Sequence, residues 1–252
     1  GAPTVVQEAA WPAIAKGDHT LVSAPTGTGK TLAAFLVFID RLMAEARQGA
    51  LKQELRLIYI SPLKSLAGDI RENLRRPLDG ITSELRDNGL LLPQKPGGFE
   101  PPLRVAVRTG DTSQSERRQM LKKPPHILIT TPESLYLLLT SKSGKAMLNT
   151  ARWIILDELH AMIDTKRGAH LMLSVARLDT LCQSPLQRIG LSATIEPLDK
   201  AAEYLSPGQE TGPPVSVTIA APKMHKSVKL EITSPFAEPH TPKKDPVWQA
   251  LA

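Results

Sequence analysis

Cysteine is all but missing from this chain. Cys182, in the apolar stretch LDTLCQSPL, is the only one among 252 residues, which rules out an internal disulfide and a cysteine metal cluster. It reads as a core residue of a protein kept in a reducing compartment. Also lacking is any apolar run of about eighteen residues or more, the length a membrane-spanning helix needs. The opening residues, GAPTVVQEAAW, have neither the basic nor the apolar segment of a secretory signal, so a soluble, unexported protein is expected. No internal repeat is visible. Charge is not strongly of one sign: the net is +6 with a pI of about 9.5, which accommodates a polyanionic partner without implying one. Hydrophobic residues make up 41% of the chain, enough to fill the core of one large domain or two small ones.

Those residues come in short runs. HTLVSA near 19, RLIYIS near 56, LRVAVR near 103, HILIT near 126, RWIILD near 152 and QRIGLS near 187 each read as a buried strand. Between them lie helical patterns: KTLAAFLVFIDRLMAEA from Lys30, SLAGDIRENLRR from Ser65, SERRQMLKK from Ser115 and GAHLMLSVARLDTL from Gly168. Alternating strand and helix predicts a mostly parallel sheet with helices on both faces, because a parallel crossover needs a helix's length of chain. Ligands of such a sheet bind at the carboxyl ends of its strands. Two segments break the rhythm. DNGLLLPQKPGGFEPP, 87 to 102, reads as an inserted surface loop. From Pro197 to Pro246 lie nine of the 22 prolines, with candidate strands at 215–220 and 228–233, and this stretch reads as a linker leaving a finished domain. The terminal VWQALA has the look of a helix start.

APTGTGKT, 24 to 31, follows the first strand and opens the first long helix. In that setting a Gly-rich loop wraps phosphates: Thr26, Gly27, Thr28 and Gly29 offer backbone N–H groups, Lys30 reaches the β- and γ-phosphates, and the Thr31 hydroxyl is placed for magnesium. Ala24 stands where the usual pattern has glycine, a small residue that the geometry tolerates. A chance turn is the competing reading, and the strand before and helix after weaken it. WIILDELH, 153 to 160, then finds its meaning. Four apolar residues lead into adjacent carboxylates, and in phosphate-loop enzymes an acid at another strand's end completes the metal site. That casts Asp157 as the magnesium partner and Glu158 as the group that orients or deprotonates water. Without the loop at 24–31, a solvated helix start would explain both acids equally well.

Together the motifs resemble a superfamily 2 helicase of the DExH type, and more closely the first RecA-like domain of the Lhr (large helicase-related) family. The resemblance runs from about Pro3 to Leu205 through PTVVQEAAWPAI, APTGTGKT, SPLKSLAGDI, VRTGDTSQSERRQML, PPHILITTPESLYLLLTS, DELH, KRGAHL and QRIGLSAT. It implies a RecA-like domain over 1–205, with 206–252 a linker and the truncated start of a second such domain. It implies that Gln7 reads adenine, selecting ATP with magnesium. Pro62, Lys64, Ser65, Arg108, Thr109, Gly110, Asp111, Thr131, Pro132, Glu133 and Ser134 match segments lining the nucleic-acid groove. These are hydroxyls, backbone N–H groups and a few cations, suited to gripping phosphates without reading bases. Thr131, Pro132 and Glu133 equally suit a helix N-terminus, and an exposed one is itself a phosphate site. His160 and the turn Ser192, Ala193, Thr194 match elements that couple hydrolysis to strand movement. His126 and His170 have no such support and read as structural, and SERRQMLKK reads as a solvated helix face. No cluster at ligand spacing suggests a metal site made of protein alone.

The resemblance further implies an ATP-dependent helicase that tracks single-stranded DNA with 3′ to 5′ polarity and unwinds DNA or RNA:DNA hybrids. It places the protein in the cytoplasm of a bacterial or archaeal cell, on the nucleoid, with DNA repair as the pathway. In such motors a second RecA-like domain supplies arginine fingers, and no second phosphate-proximal arginine motif is seen in this chain. Two other readings stand beside this one. A phosphate-loop enzyme of another class, such as a nucleotide kinase, would carry an acceptor site and an arginine-rich lid, which are not evident. A nucleic-acid-binding module with vestigial ATP chemistry is argued against by Lys30, Asp157 and Glu158 all being present.

Overall fold

The computed structural model describes residues 2–90, 103–208 and 215–223. The chain divides into two compact units, 1–222 and 223–252, and of the second only Lys223 is described. In chain order the elements are α1 (Val5–Lys16), β1 (His19–Ser23), α2 (Lys30–Arg47), β2 (Leu57–Ile60), α3 (Lys64–Asp87), β3 (Val105–Arg108), α4 (Gln114–Lys122), β4 (Ile127–Thr130), α5 (Pro132–Thr140), α6 (Lys142–Leu148), β5 (Trp153–Leu156), a 3-10 turn (Leu159–Ala161), α7 (Lys166–Leu181), β6 (Gln187–Ser192), α8 (Leu198–Leu205) and β7 (Val217–Ala220). The seven strands form one sheet in the order β3-β4-β2-β5-β6-β1-β7, every pairing parallel.

A strand presents successive side chains to opposite faces, so a strand covered on both sides is apolar along most of its length. On β2, Leu57 and Tyr59 pack with Phe35, Phe38 and Leu74 from α2 and α3, while Ile58 and Ile60 pack with Leu135, Leu148 and Val175 from α5, α6 and α7. The result is the three-layer α/β domain that the strand–helix alternation predicts. Gly190 on β6 serves the second face: a Cβ there would collide with the Leu159 side chain, which lies against the sheet. Arg188, two residues earlier and almost wholly buried, pairs with Asp179 of α7 and donates to the carbonyls of Leu205 at 3.1 Å and Ser206 at 3.0 Å. It thereby ties α7 and the end of α8 to the middle of the sheet.

Several elements depart from the sequence reading. Helix α3 is twice as long as its periodic stretch, running through Pro77 to Asp87, so most of DNGLLLPQKPGGFEPP falls in residues outside those described. Helices α1, α6 and α8 have no counterpart among the predicted helices. The sheet also continues past residue 205, where the domain was expected to end, because Val217–Ala220 pairs with β1 from His19↔Val217 to Val22↔Ala220. The stretch read as linker therefore contributes an edge strand, and Ala220 belongs to the core. The candidate strand at 228–233 and VWQALA lie outside the described residues.

His126 closes the end of the sheet opposite the loops of interest. Its carbonyl accepts from the Arg56 and Leu57 N–H groups, its N–H donates to the Arg104 carbonyl at 2.9 Å, and its ring Nδ1 accepts from the Arg104 N–H at 3.0 Å. Burial pushes its pKa down to about 4. The folded histidine therefore stays neutral below pH 6.5, where the unfolded one takes up a proton, so its contribution to stability is full above about pH 6.5 and is lost as pH falls toward 4. His126→Gln should remove a stability loss on the order of 3 kcal/mol across that interval, read as the difference between urea unfolding free energies at its two ends. An identical pH dependence in the variant would show that another group carries it.

Candidate functional site

Every polar motif lies at the carboxyl edge of the sheet. At the end of β1, the Ser23 hydroxyl donates to the Ala193 carbonyl at 3.3 Å and the Ala24 N–H donates to the Ser192 carbonyl at 3.3 Å. The chain then turns through Pro25 to Gly29. Gly27 and Gly29 have φ of 79° and 87°, left-handed values that glycine takes without strain, and Gly29 is the N-cap of α2. Ala24 is buried and keeps an ordinary negative φ, so the substitution of the usual glycine costs nothing here. The Thr28 hydroxyl donates to the Pro25 carbonyl at 2.7 Å, and the Lys30 ammonium donates to the Ala24 and Pro25 carbonyls at 2.7 and 2.8 Å. Lys30 is only 8% exposed, and burial lowers its pKa against the opposing pull of Glu158 and Asp157. Thr4 and Gln7 form a capping box on α1: the Gln7 Oε1 accepts from the Thr4 N–H at 2.9 Å, and the Thr4 hydroxyl donates to the Thr28 carbonyl at 3.1 Å. Gln7 therefore sits against the loop, its Nε2 beside Gly29.

Asp157 and Glu158 follow β5. Asp157 is buried, and its two carboxylate oxygens accept from the Glu158 N–H at 2.9 Å and from the Tyr59 hydroxyl. Burial raises its pKa and these two donors oppose the rise. Glu158 has a left-handed backbone, φ 53° and ψ 44°, an uncommon conformation for a residue other than glycine, asparagine or aspartate. Its carboxylate lies 3.3 Å from His160 Nε2, and His160 Nδ1 accepts from the Ala193 N–H at 3.2 Å with the Ser192 hydroxyl at 3.4 Å. Hydrogen bonds thus join the acid loop, the Ser192–Thr194 turn and the end of β1, with Thr194 itself exposed. Thr26, Gly27, Gly29, Lys30, Thr31, Asp157 and Glu158 share one cavity of about 410 Å³. Among the described residues no group of three or more His, Cys, Asp or Glu side chains is placed to hold a metal ion by itself. The side chains lining the cavity that carry oxygen are Thr26, Thr31, Asn73 and the acid pair. That set is too sparse to cage a cation but fits magnesium, which keeps its waters and is shared with phosphates.

The other predicted residues occupy the neighbouring strand ends. Pro62 lies buried after β2, and Lys64 and Ser65 open α3. Arg108 ends β3, where burial and the nearby Arg117 lower its pKa and its Nη1 has no hydrogen-bond partner. The turn Thr109–Thr112 is held by Arg117 of α4, which donates to the carbonyls of Thr112 at 2.8 Å, Thr109 at 3.2 Å and Gly110 at 2.8 Å. Thr131 caps α5 by accepting from the Ser134 N–H at 3.4 Å, with Pro132 in the first turn, while Glu133 forms a two-pronged pair with Arg167 at 2.6 and 3.2 Å. Sheet order sorts the residues. Those matched to nucleotide chemistry sit over β5, β6 and β1, and those matched to nucleic acid sit over β3, β4 and β2. Sequence reasoning missed Tyr59, Arg117 and Arg167. Arg117 lies inside SERRQMLKK, read as solvated surface, and nothing in the local pattern sets it apart from Arg118.

A family model described as DEAD/DEAH box helicase matches residues 4–201, most of the chain. The chain belongs to that family. Among curated proteins this DEAD/DEAH box domain is similar to the Lhr helicase/probable uracil glycosylase of Mycolicibacterium smegmatis, with 47% identity over 247 residues that cover 98% of the chain and 15% of that protein. It is also similar to the ATP-dependent helicase Lhr-Core of Methanothermobacter thermautotrophicus, at 48% over 192 residues covering 76% of the chain and 21% of that protein. A solved structure of the Mycobacterium smegmatis helicase Lhr bound to ssDNA and AMP-PNP superposes with a TM-score of 0.78 and 45% identity, over 99% of the chain and 30% of that one. The DEAD-box helicase Mss116, bound to ssRNA and UDP-BeF, shares the fold at 19% identity and a TM-score of 0.65, over 87% of the chain and 40% of that one. The DEAD/DEAH box domain thus spans between 15% and 30% of the length of the Lhr relatives it matches. No described helix is long and apolar enough to cross a membrane.

Gly29 offers a test of the loop's geometry that is independent of any ligand. Gly29→Ala forces an L residue into a left-handed conformation and sets its Cβ 3.4 Å from Gln7 Nε2. Stability should fall by about 1–2 kcal/mol in urea unfolding. An unchanged midpoint would mean that the loop relaxes out of this shape.

Proposed function

We propose that this chain is the ATP-binding half of a nucleic-acid motor. The observation that carries the reading is the single cavity holding Lys30 and Thr31 from the loop after β1 together with Asp157 and Glu158 after β5. Backbone N–H groups of the loop and the N-terminus of α2 face the phosphates, and Lys30 exchanges the Ala24 and Pro25 carbonyls for phosphate oxygens. Thr31 and Asp157 would hold magnesium, which supplies charge neutralisation at the β- and γ-phosphate oxygens. Gln7, already packed on the loop, reads the adenine edge. Glu158 orients or deprotonates the attacking water, and the His160 link to Ser192, Ala193 and Thr194 passes the state of the site to the rest of the motor.

The strand ends of β2, β3 and β4 grip a single strand of nucleic acid by its phosphates, through Pro62, Lys64 and Ser65, the Arg108–Asp111 turn and Thr131–Ser134. Grips of this kind position a backbone and read little sequence. By likeness to the Lhr helicases, the full-length protein would track single-stranded DNA 3′ to 5′, unwind DNA or RNA:DNA hybrids, and serve DNA repair on the nucleoid. Residues 206–252 would lead to a second RecA-like domain that contributes the arginine fingers, with β7 the last strand of the first. The small share of each relative that the chain covers supports this reading.

An arginine finger is worth roughly a thousandfold or more in turnover. This chain alone should therefore bind Mg-ATP weakly and release phosphate slowly or not at all, and extension through a second domain past Ala252 should raise turnover by about that factor. Phosphate release with and without single-stranded DNA, beside a Lys30→Ala control, checks both statements. DNA-stimulated, Lys30-dependent turnover by the 252-residue chain alone would overturn the half-motor reading.

A further inference from the structure

Tyr59 occupies a position that phenylalanine would fill as well by shape. It is fully buried on β2, and its ring stacks on Phe35 with centroids 5.0 Å apart and planes inclined by 24°. A buried hydroxyl is costly unless it is paired, so its presence calls for a partner. Across the β2–β5 ladder Tyr59 lies opposite Ile155, and Asp157, two residues on, faces the same side of the sheet. The Tyr59 hydroxyl donates to Asp157 Oδ2. Phe35, on which the ring stacks, lies one helical turn beyond Thr31 on α2.

A carboxylate bound by a donor at one oxygen still swings about its Cβ–Cγ bond. Asp157 is bound at both: the Glu158 N–H holds Oδ1 and the Tyr59 hydroxyl holds Oδ2, and each oxygen keeps a further lone pair. We infer that Tyr59 is a positioning residue of the magnesium site, a phenol that aligns the Asp157 carboxylate before a cation reaches it. The inference rests on the nucleotide reading of the cavity. The candidate metal donors Thr31 and Asp157 come from elements far apart in sequence and share that cavity, and Tyr59 is bonded to the second of them.

Tyr59→Phe keeps the stack on Phe35 and removes only the hydroxyl. Binding of a fluorescent ATP analogue to the 252-residue chain is titrated with magnesium, and again in EDTA without it. The magnesium midpoint should rise about tenfold, the usual effect of deleting a partner that orients a metal ligand, while affinity in EDTA stays as in the parent. In an Asp157→Asn background the same substitution should add nothing, because Tyr59 acts through that carboxylate. A midpoint that is unchanged or lower, or an equal loss of affinity with and without magnesium, overturns the inference. Should Tyr59→Phe fail to fold, 3-fluorotyrosine at position 59 keeps the hydroxyl. Its fluorine resonance should move when magnesium joins the nucleotide-loaded chain, and a static resonance overturns the inference equally. Lys30→Ala separates the two levels: if it leaves analogue binding intact the nucleotide reading itself fails, and if it abolishes binding while Tyr59→Phe behaves as the parent, only the role of Tyr59 is lost.

Discussion

The backbone ladder of the parallel sheet does not stop where the strands do. Ala24 N–H bonds to the Ser192 carbonyl, Ser61 N–H to the Thr130 carbonyl and Asp157 N–H to the Ile60 carbonyl, each one residue past the end of its strand. Every one of these residues begins a motif at the carboxyl edge. The position of the phosphate loop, of the Ser61–Ser65 segment and of the acid pair is therefore set by strand register, not by the loops' own packing. A register slip of one residue would turn every side chain to the other face, and two filled apolar layers hold the register fixed.

That rigidity bears on charges kept out of water. Lys30, Asp157 and Arg188 are each buried, and each is supplied with partners before any ligand is considered: two carbonyls for Lys30, an amide and a phenol for Asp157, two carbonyls and Asp179 for Arg188. Arg188 is a structural charge, deep in the sheet with its partners on two helices. The other two lie in one cavity. Removing one member of a buried pair is far more damaging than replacing both with apolar groups, so the chemistry of the edge depends on these arrangements staying intact.

Local signals were legible. Six mostly apolar runs became strands because a strand covered on both faces is apolar wherever no partner waits for a polar side chain, as Asp179 does for Arg188. The turn at 24–31 was legible because Gly27 and Gly29, which take left-handed φ, stand at fixed spacing before the helix that Lys30 opens. What escaped was set by distant partners. The end of the domain was hidden because β7 is identified by its pairing with β1, and its half-exposed residues in a proline-rich neighbourhood look like linker. The continuation of α3 through Pro77 was hidden because proline reads as a helix stop, while Leu74 and Leu78 pack into the core and hold the helix on course. Tyr59 looked like one more core residue of RLIYIS; its hydroxyl gains meaning only once β5 brings Asp157 beside it.

Strand β7 has a consequence for where the domain can be divided. It covers the outer side of β1, the strand that carries the phosphate loop, so that β1 is paired on both sides. A fragment ending at Leu205, where sequence likeness alone would draw the boundary, leaves the amides and carbonyls of His19–Val22 bare along one flank. An uncovered edge of that kind is a template for another chain's strand. Strand β7 thus moves the open edge of the sheet one strand away from the glycine loop, a role that a bare linker would not have.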